Sequence, residues 1–263
     1  MKLGIYTTVA VEAAYKAAEI AKKFYRKSLK YTYKEDRNPV TEADLMCQEK
    51  IKNTILSNFK NHRILAEEDY KSGKVDFDGF WWIIDPIDGT VNFRKGFPMF
   101  CISIALVKDG EIIIGVIYIP VLDELFIAEK GNGSFCNDRR IVVSDTSDLR
   151  SSVLATGFGY ALAQNPDPHV ELFKKISINT EAVRRAGSAA IDLAYTALGV
   201  FDGFWESDLK PWDTAAGVLL VQEANGKVTD YYGNPYNLWS KTIVASNGFI
   251  HDKIIEFTKS IAL

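Results

Sequence analysis

A chain of 263 residues with 47% hydrophobic and 25% charged side chains has the length and composition of a globular protein built as one large domain or two smaller halves. Its formal net charge of −3 provides no basic surface for nucleic acid, which argues against nucleic acid as a partner. Three widely spaced cysteines, Cys47, Cys101 and Cys136, form neither a zinc pattern nor a disulfide framework, so we expect a reducing, cytoplasmic setting.

The first half of the chain is predicted to combine helices with an antiparallel sheet. Residues 4–28 predict a long helix, and the charged residues within it argue against a secretion signal. A second helix is predicted to begin near Thr41. Strands are expected at 63–66 and in GFWWII (79–84), followed by a meander over 100–143. No apolar run reaches the ~20 residues that a membrane span requires, so we expect no membrane association.

The second half is predicted to alternate strands with helices. The predicted helices cover 167–177, 188–198, 211–224 and 249–260, and the strands between them lie in SVLAT, EAVRR, FDGFWE, KVTD and TIVAS. The sequence therefore predicts an α/β protein, with an α+β half at 1–145 and an α/β half at 146–263.

Acidic residues recur where a strand ends or a helix begins. They are Asp44 in TEAD, Glu67 and Glu68 after RIL, Asp85 and Asp88 after FWWII, and Asp213 in PWDTAAG.

Several of these acids have a purely structural explanation. Asp44 fits a capping box with Thr41, and Asp213 fits an acid that complements a helix dipole. Glu67 and Glu68, each taken in isolation, fit solvated loop charges. Asp85 and Asp88 differ, because they follow a strongly apolar strand, where an unpaired buried charge is costly.

A magnesium site explains these two aspartates better than a turn does. Mg²⁺ prefers carboxylate oxygens together with water and substrate phosphate. The Asp-Gly-Thr turn that follows provides backbone N–H groups at the start of a helix, where a phosphate is favoured. Carboxylates for a metal next to a cradle for an anion indicate a phosphatase.

The motifs that carry this chemistry resemble those of the inositol monophosphatase family of magnesium-dependent, lithium-sensitive phosphatases. The resemblance covers nearly the whole chain. The matching segments, in family order, are NPVTEAD (38–44), AEED (66–69), DPIDGT (85–90), RRAGSAAIDLAYTALGVFDGFWE (184–206) and PWDTAAG (211–217). The resemblance implies a layered αβαβα sandwich, two or three Mg²⁺ ions and a homodimer.

The resemblance also implies roles for individual residues. The implied metal ligands are Glu67, Asp85, Asp88, Asp213 and the carbonyl of Ile87. The implied catalytic residues are Glu67, Thr90 and Asp44, with Asp44 polarising the Thr90 hydroxyl. The implied substrate contacts are Asp88, Gly89, Thr90, Gly187, Ser188, Ala189, Glu206 and Asp213.

The implied activity is hydrolysis of inositol 1-phosphate by in-line attack of a metal-activated water. One alternative activity is hydrolysis of fructose 1,6-bisphosphate, alone or together with that of inositol 1-phosphate. Another is hydrolysis of 3′-phosphoadenosine 5′-phosphate. An alternative of another class is a regulatory binding protein of the transcription machinery. The complete set of expected metal ligands argues against a purely non-catalytic role.

Overall fold

Helices and sheets alternate in five layers in the computed structural model, which describes residues 3–28, 30–35, 38–159 and 165–261. An outer pair of helices covers one face of a seven-stranded sheet. A second helix pair fills the space between that sheet and a five-stranded sheet, and a third pair covers the far side. The predicted αβαβα sandwich is confirmed.

The first layer consists of α1 (Ile5–Phe24) and α2 (Glu42–Asn58). Helix α1 buries a stripe of alanines, among them Ala10, Ala14 and Ala17, against the sheet and α2. The predicted helix 4–28 extends too far. The chain turns at Tyr25, whose ψ of 131° is extended and whose hydroxyl donates to the carbonyl of Gly96 at 2.7 Å.

The seven-stranded sheet contains the predicted meander. In spatial order its strands are β3 (Arg63–Ala66), β4 (Phe80–Asp88), β5 (Cys101–Lys108), β6 (Glu111–Ile119), β7 (Glu124–Glu129), β8 (Gly133–Cys136) and β9 (Arg139–Ile141). Strands β3 and β4 are parallel, and the other neighbours are antiparallel. Strand β4 is buried on both faces as predicted, since Trp82 and Ile84 face the first helical layer and Ile83 faces the second.

The second half supplies the five-stranded sheet and four helices. The sheet has the order β11 (Ala182–Arg184), β10 (Val153–Thr156), β12 (Gly203–Ser207), β14 (Thr242–Ser246) and β13 (Lys227–Thr229). Helices α5 (Ala189–Ala197) and α6 (Pro211–Glu223) pack between the two large sheets, whereas α4 (Pro166–Ser177) and α7 (His251–Thr258) cover the outer face. The division into halves at residue 145 stays a prediction.

Two short elements beside the site complete the fold. A hairpin of β1 (Tyr31–Glu35) and β2 (Asn38–Thr41) was not predicted, whereas α3 (Thr90–Lys95) begins at the expected Asp-Gly-Thr turn. Within the described ranges, no helix is both long enough and apolar enough to cross a membrane.

Candidate active site

Strand β4 brings Asp85 and Asp88 to the same end of the sheet. Pro86 has no N–H to donate, and the pairing with β5 is irregular between the two aspartates. The carboxylate of Asp85 accepts the N–H of Ile87 at 3.0 Å, which fixes the turn. This local geometry gives one strand two carboxylates that are 2% and 9% exposed, respectively.

Asp88 joins the two halves of the chain. Its Oδ2 accepts the hydroxyl of Ser188 at 2.7 Å and the N–H of Ala190 at 2.8 Å. Ser188 is the N-cap of α5. The carboxylate of Asp88 on β4 therefore accepts a free backbone N–H at the start of a helix that lies about one hundred residues later in the chain. The predicted substrate contacts Ser188 and Ala189 therefore lie beside a predicted metal ligand.

Helix α6 adds the third carboxylate. Pro211 opens the helix as predicted, and the Asp213 carboxylate accepts the N–H of Lys210 at 2.6 Å. One carboxylate oxygen from each of Asp85, Asp88 and Asp213 lies within 4.8 Å of the other two. Three of the four predicted metal-binding carboxylates thus converge.

The electrostatics of this three-carboxylate cluster suit a cation. Burial raises the pKa of Asp85, and the charges of Glu67, Asp88 and Asp213 raise it further. Burial followed by the charge of Asp88 raises the pKa of Asp213 in the same way. Like charges this close, in buried and half-buried positions, are unfavourable without a counter-charge, and hard oxygen donors are what Mg²⁺ prefers. The donor set therefore fits a divalent metal.

Asp44 and Thr90 form a pair next to the cluster. The Thr90 hydroxyl lies 3.1 Å from Asp44 Oδ1 and 3.1 Å from the carbonyl of Ile87. Asp44 Oδ2 accepts the N–H of Thr41 at 2.9 Å in the predicted capping box. Asp44 is completely buried, and this burial raises its pKa to about 6.

Glu67 lies outside the three-carboxylate cluster and is paired with a lysine. Lys34 Nζ on the β1–β2 hairpin lies 2.6 Å from Glu67 Oε1 and 2.8 Å from Glu68 Oε1. The charge of Glu67 nevertheless contributes to the raised pKa of Asp85, so Glu67 lies close to the cluster. The sequence did not point to Lys34. The alternating aromatic residues Tyr31 and Tyr33 were the available sign of a strand there.

Two glycines shape the neighbouring surface. Gly89 has a φ of +90°, and a Cβ there would lie 2.9 Å from the carbonyl of Met99. Gly187, with a φ of +87°, lies opposite Gly89. Asn92, which the sequence analysis missed, donates to the carbonyls of Met99 at 2.6 Å and Ala186 at 2.8 Å. It thereby ties the loop after β4 to the Gly187 segment.

Glu206 lies at the end of β12 and is 7% exposed. Burial raises its pKa well above the usual range, and the charges of Asp192, Asp213 and Asp88 add to the shift. The predicted substrate contact is therefore near the cluster. Gly157 makes room for it, because a Cβ at that position would lie 2.2 Å from Glu206 Oε2.

Several known proteins are similar to this chain in sequence and in fold. The profile of the inositol monophosphatase family matches residues 4–262. A fructose-1,6-bisphosphatase/inositol-1-monophosphatase of Aquifex aeolicus is 35% identical over 97% of this chain and 95% of its own. The Nus factor SuhB of Escherichia coli is 39% identical over 91% of this chain and 90% of its own. The solved inositol monophosphatase of Anabaena is 40% identical and has a TM-score of 0.88, with 98% of this chain and 96% of that chain covered.

These matches extend over nearly the full length of the chain, and the motifs of the sequence lie around one cluster of buried and half-buried carboxylates. The chain therefore belongs to the inositol monophosphatase family, whose members are metal-dependent phosphatases, and it is itself a phosphatase.

Proposed function

We propose that this phosphatase uses Mg²⁺ to hydrolyse a phosphate monoester of a polyol, with inositol 1-phosphate as its substrate. The observation that carries the proposal is the convergence of Asp85, Asp88 and Asp213 within 4.8 Å beside the Gly89 turn. Carboxylates for cations and a backbone turn for phosphate are the two parts that metal-assisted phosphate hydrolysis requires.

The carboxylates divide into two groups around the cations. Glu67, Asp85 and the carbonyl of Ile87 would hold one ion, and Asp88 and Asp213, with Asp85 shared, would hold a second. A third ion near Glu67 would bring the number to three. When bound, Mg²⁺ lowers the pKa of a water molecule and offsets the charge of the phosphate. Lys34 pairs with Oε1 of Glu67, so an ion held by Glu67 would either use Oε2 of the same carboxylate or displace the lysine.

The other residues handle the water and the phosphate. Glu67 and the Thr90–Asp44 pair would orient the attacking water and accept its proton. The N–H groups of Gly89 and Thr90 would hold the phosphate oxygens in line with that water. The raised pKa of Asp44, about 6, suits a group that shares a proton with Thr90.

The residues that would contact the leaving group favour a polyol in that position. Glu206 is an acceptor that can take hydrogen bonds from ring hydroxyls, and Gly187, Ser188 and Ala189 provide a short segment beside Asp88 for the same group. The names of the Aquifex and Anabaena relatives include inositol monophosphatase, in agreement with this choice.

Two alternatives have support of their own. The Aquifex relative is also named a fructose-1,6-bisphosphatase, so activity on fructose 1,6-bisphosphate is the second candidate, with 3′-phosphoadenosine 5′-phosphate as a further sugar-linked phosphate. The Escherichia coli relative is named a Nus factor, which supports a regulatory role with the transcription machinery in addition to catalysis. A cytoplasmic homodimer sensitive to lithium is part of the same proposal.

The test is phosphate release by the purified protein. Inositol 1-phosphate, fructose 1,6-bisphosphate and 3′-phosphoadenosine 5′-phosphate are each supplied with Mg²⁺ or with a chelator. We expect chelator-sensitive release that is fastest on inositol 1-phosphate. Faster release from another compound would keep the metal chemistry and change the substrate, whereas no release from any of them would overturn the catalytic proposal.

A further inference from the structure

Asn92, to which the proposed mechanism gives no task, places its side-chain amide where three backbone carbonyls meet. Its Nδ2 donates to the carbonyl of Met99 at 2.6 Å and to that of Ala186 at 2.8 Å. The carbonyl oxygen of Gly187 lies 3.4 Å from the same nitrogen. An amide NH₂ group has two hydrogens to donate, whereas a carbonyl only accepts. The position therefore requires a donor, and an ionised carboxylate of the same shape would not fit it.

The three carbonyls belong to two segments that pack against the Gly89 turn. Met99 lies between α3 and β5, whereas Ala186 and Gly187 lie between β11 and α5. A Cβ on Gly89 would be 2.9 Å from the carbonyl oxygen of Met99 and 3.4 Å from that of Gly187. The amide of Asn92 thus joins the turn that would hold the phosphate to the segment that would contact the leaving group.

Helix α3 depends on such contacts for its position. It has only six residues, and a helix this short has little stability of its own. The backbone carbonyl of Asn92 accepts the N–H of Phe97 at 2.9 Å and closes the end of the helix. Its side chain binds Ala186, 94 residues later in the chain. Asn92 therefore fixes both the end of α3 and the distance of this helix from the second half of the chain.

A second set of bonds joins the same two parts of the chain through Asp88. Its Oδ2 accepts the Ser188 hydroxyl at 2.7 Å and the Ala190 N–H at 2.8 Å. Asp88 is also a proposed metal ligand, so its carboxylate serves both the metal and the start of α5. The bonds of Asn92 are neutral, and none of its bonding partners is a proposed metal ligand. The two sets of bonds can therefore be tested separately.

The distance between the two segments matters for the reaction. In-line displacement at phosphorus requires the attacking and leaving oxygens to lie roughly on one line. A misplacement of about 1 Å can slow an enzymatic reaction by about 100-fold. The N–H groups of Gly89 and Thr90 would hold the phosphate, while residues 187–189 would contact the leaving group. A donor that fixes one segment against the other therefore sets the direction of the leaving group relative to the phosphate.

We propose that Asn92 is a positioning residue: its amide holds the Gly89 turn and the Gly187 segment at a fixed distance, so that a polyol leaving group is aligned for in-line attack on its phosphate. This inference rests on the proposed phosphatase function. It goes beyond that function by assigning the alignment of two substrate-binding segments to a residue that has no direct part in the chemistry.

The experiment compares two substrates in the variant Asn92→Leu, which removes the donors at a similar side-chain size and adds no charge. We expect kcat/KM for inositol 1-phosphate to fall by about 30-fold, mostly through kcat, because its leaving group is no longer aligned. The leaving group of p-nitrophenyl phosphate has no alcoholic hydroxyls to place, so we expect a loss of only about threefold with this substrate. The ratio of the two values does not depend on the fraction of folded protein, so general destabilisation leaves it unchanged.

Asn247→Leu is the matched control. The Asn247 amide also joins distant segments, because it donates to the Ser144 hydroxyl at 2.9 Å and to the carbonyl of Thr146 at 2.8 Å. It follows β14 beside the start of β12, whereas Glu206 lies near the other end of β12. The control should lower the melting temperature without changing the ratio. If Asn92→Leu fails to fold, Asn92→Ala provides the same comparison.

Uptake of Mg²⁺, measured by calorimetric titration, should be the same in Asn92→Leu as in the wild-type protein. An unchanged substrate ratio, reduced uptake of Mg²⁺, or an equal fall of the ratio in Asn247→Leu would each overturn the inference. If the wild-type protein prefers another phosphate ester of a polyol or sugar, that ester replaces inositol 1-phosphate in the ratio. Failure of the proposed function looks different, because the wild-type protein would then release no phosphate from any of these compounds in the presence of Mg²⁺.

Discussion

Asp44 uses its two carboxylate oxygens for two different tasks. Oδ2 caps α2 through the Thr41 N–H, while Oδ1 lies 3.1 Å from the Thr90 hydroxyl. The capping box and the pairing with Thr90 were alternative explanations in the sequence, but the structure contains both. A capping pattern is local in sequence, whereas the Thr90 contact depends on how α2 packs beside the end of β4, so sequence spacing alone could reveal only the first.

Thr90→Val tests the second task. The change removes the hydroxyl that faces Asp44 but keeps the size of the side chain. We expect kcat to fall by about 100-fold, in the range of a lost proton-transfer group, with little change in thermal stability. Thr90→Ser is the matched control and should retain most of the activity. An active Thr90→Val protein would contradict the role of the Thr90–Asp44 pair.

At the scale of elements, strongly patterned segments were predictable. Local sequence alone predicted the apolar strand β4, the meander and the start of α6 at Pro211. The hairpin β1–β2 was missed, since Tyr31 and Tyr33 remain exposed and show no buried face. The Lys34–Glu67 pair was missed with it, because that contact joins two segments that only tertiary packing brings together.

The start of α1 also depends on a distant element. Its N-cap, Gly4, has no side chain to cap the helix, and the Gly4 N–H instead donates to Glu129 Oε1 at 3.0 Å. The hydroxyl of Thr7 bonds the same oxygen. Glu129 ends strand β7, so a carboxylate from the meander does the work of a local cap.

Glu129→Ala should therefore destabilise the protein. We expect the free energy of unfolding in urea to fall by about 1 kcal/mol, the usual effect of losing an N-terminal cap. Glu12→Ala on the exposed face of the same helix is the control. It removes only an exposed ion pair with Lys16 and should change the free energy by less than about 0.5 kcal/mol. Equal effects of the two changes would contradict the capping role.

At the scale of the whole molecule, the two large sheets and the helices between them bring like charges together in a buried site. Burial raises the pKa of Asp85 and Asp213, and that of Asp88 to about 6, from an ordinary value of 3.8. The metal-free folded protein therefore binds more protons than the unfolded chain. Its stabilisation by these groups is complete below pH 3.8 and is lost as the pH rises through about 6 and beyond.

Binding of a cation should restore the stability that the folded protein loses when these carboxylates ionise. Because Mg²⁺ competes with protons for the same oxygens, we expect it to raise the melting temperature more at pH 8 than at pH 5.5. Thermal unfolding with Mg²⁺ or chelator at both pH values measures this. In Asp85→Asn the dependence on pH should be weaker. A Mg²⁺ effect that is equal at both pH values would contradict proton–metal competition at this site.

The central claim is that the carboxylates at the C-terminal end of β4 and at the start of α6 form one metal site. Calorimetric titration of Mg²⁺ into the purified wild-type protein and into Asp213→Asn tests it. Asp208→Asn, an exposed acid nearby, is the matched control. We predict uptake of two or three ions by the wild-type and control proteins and the loss of at least one in Asp213→Asn. Equal uptake by all three proteins, or no uptake by the wild-type protein, would contradict it.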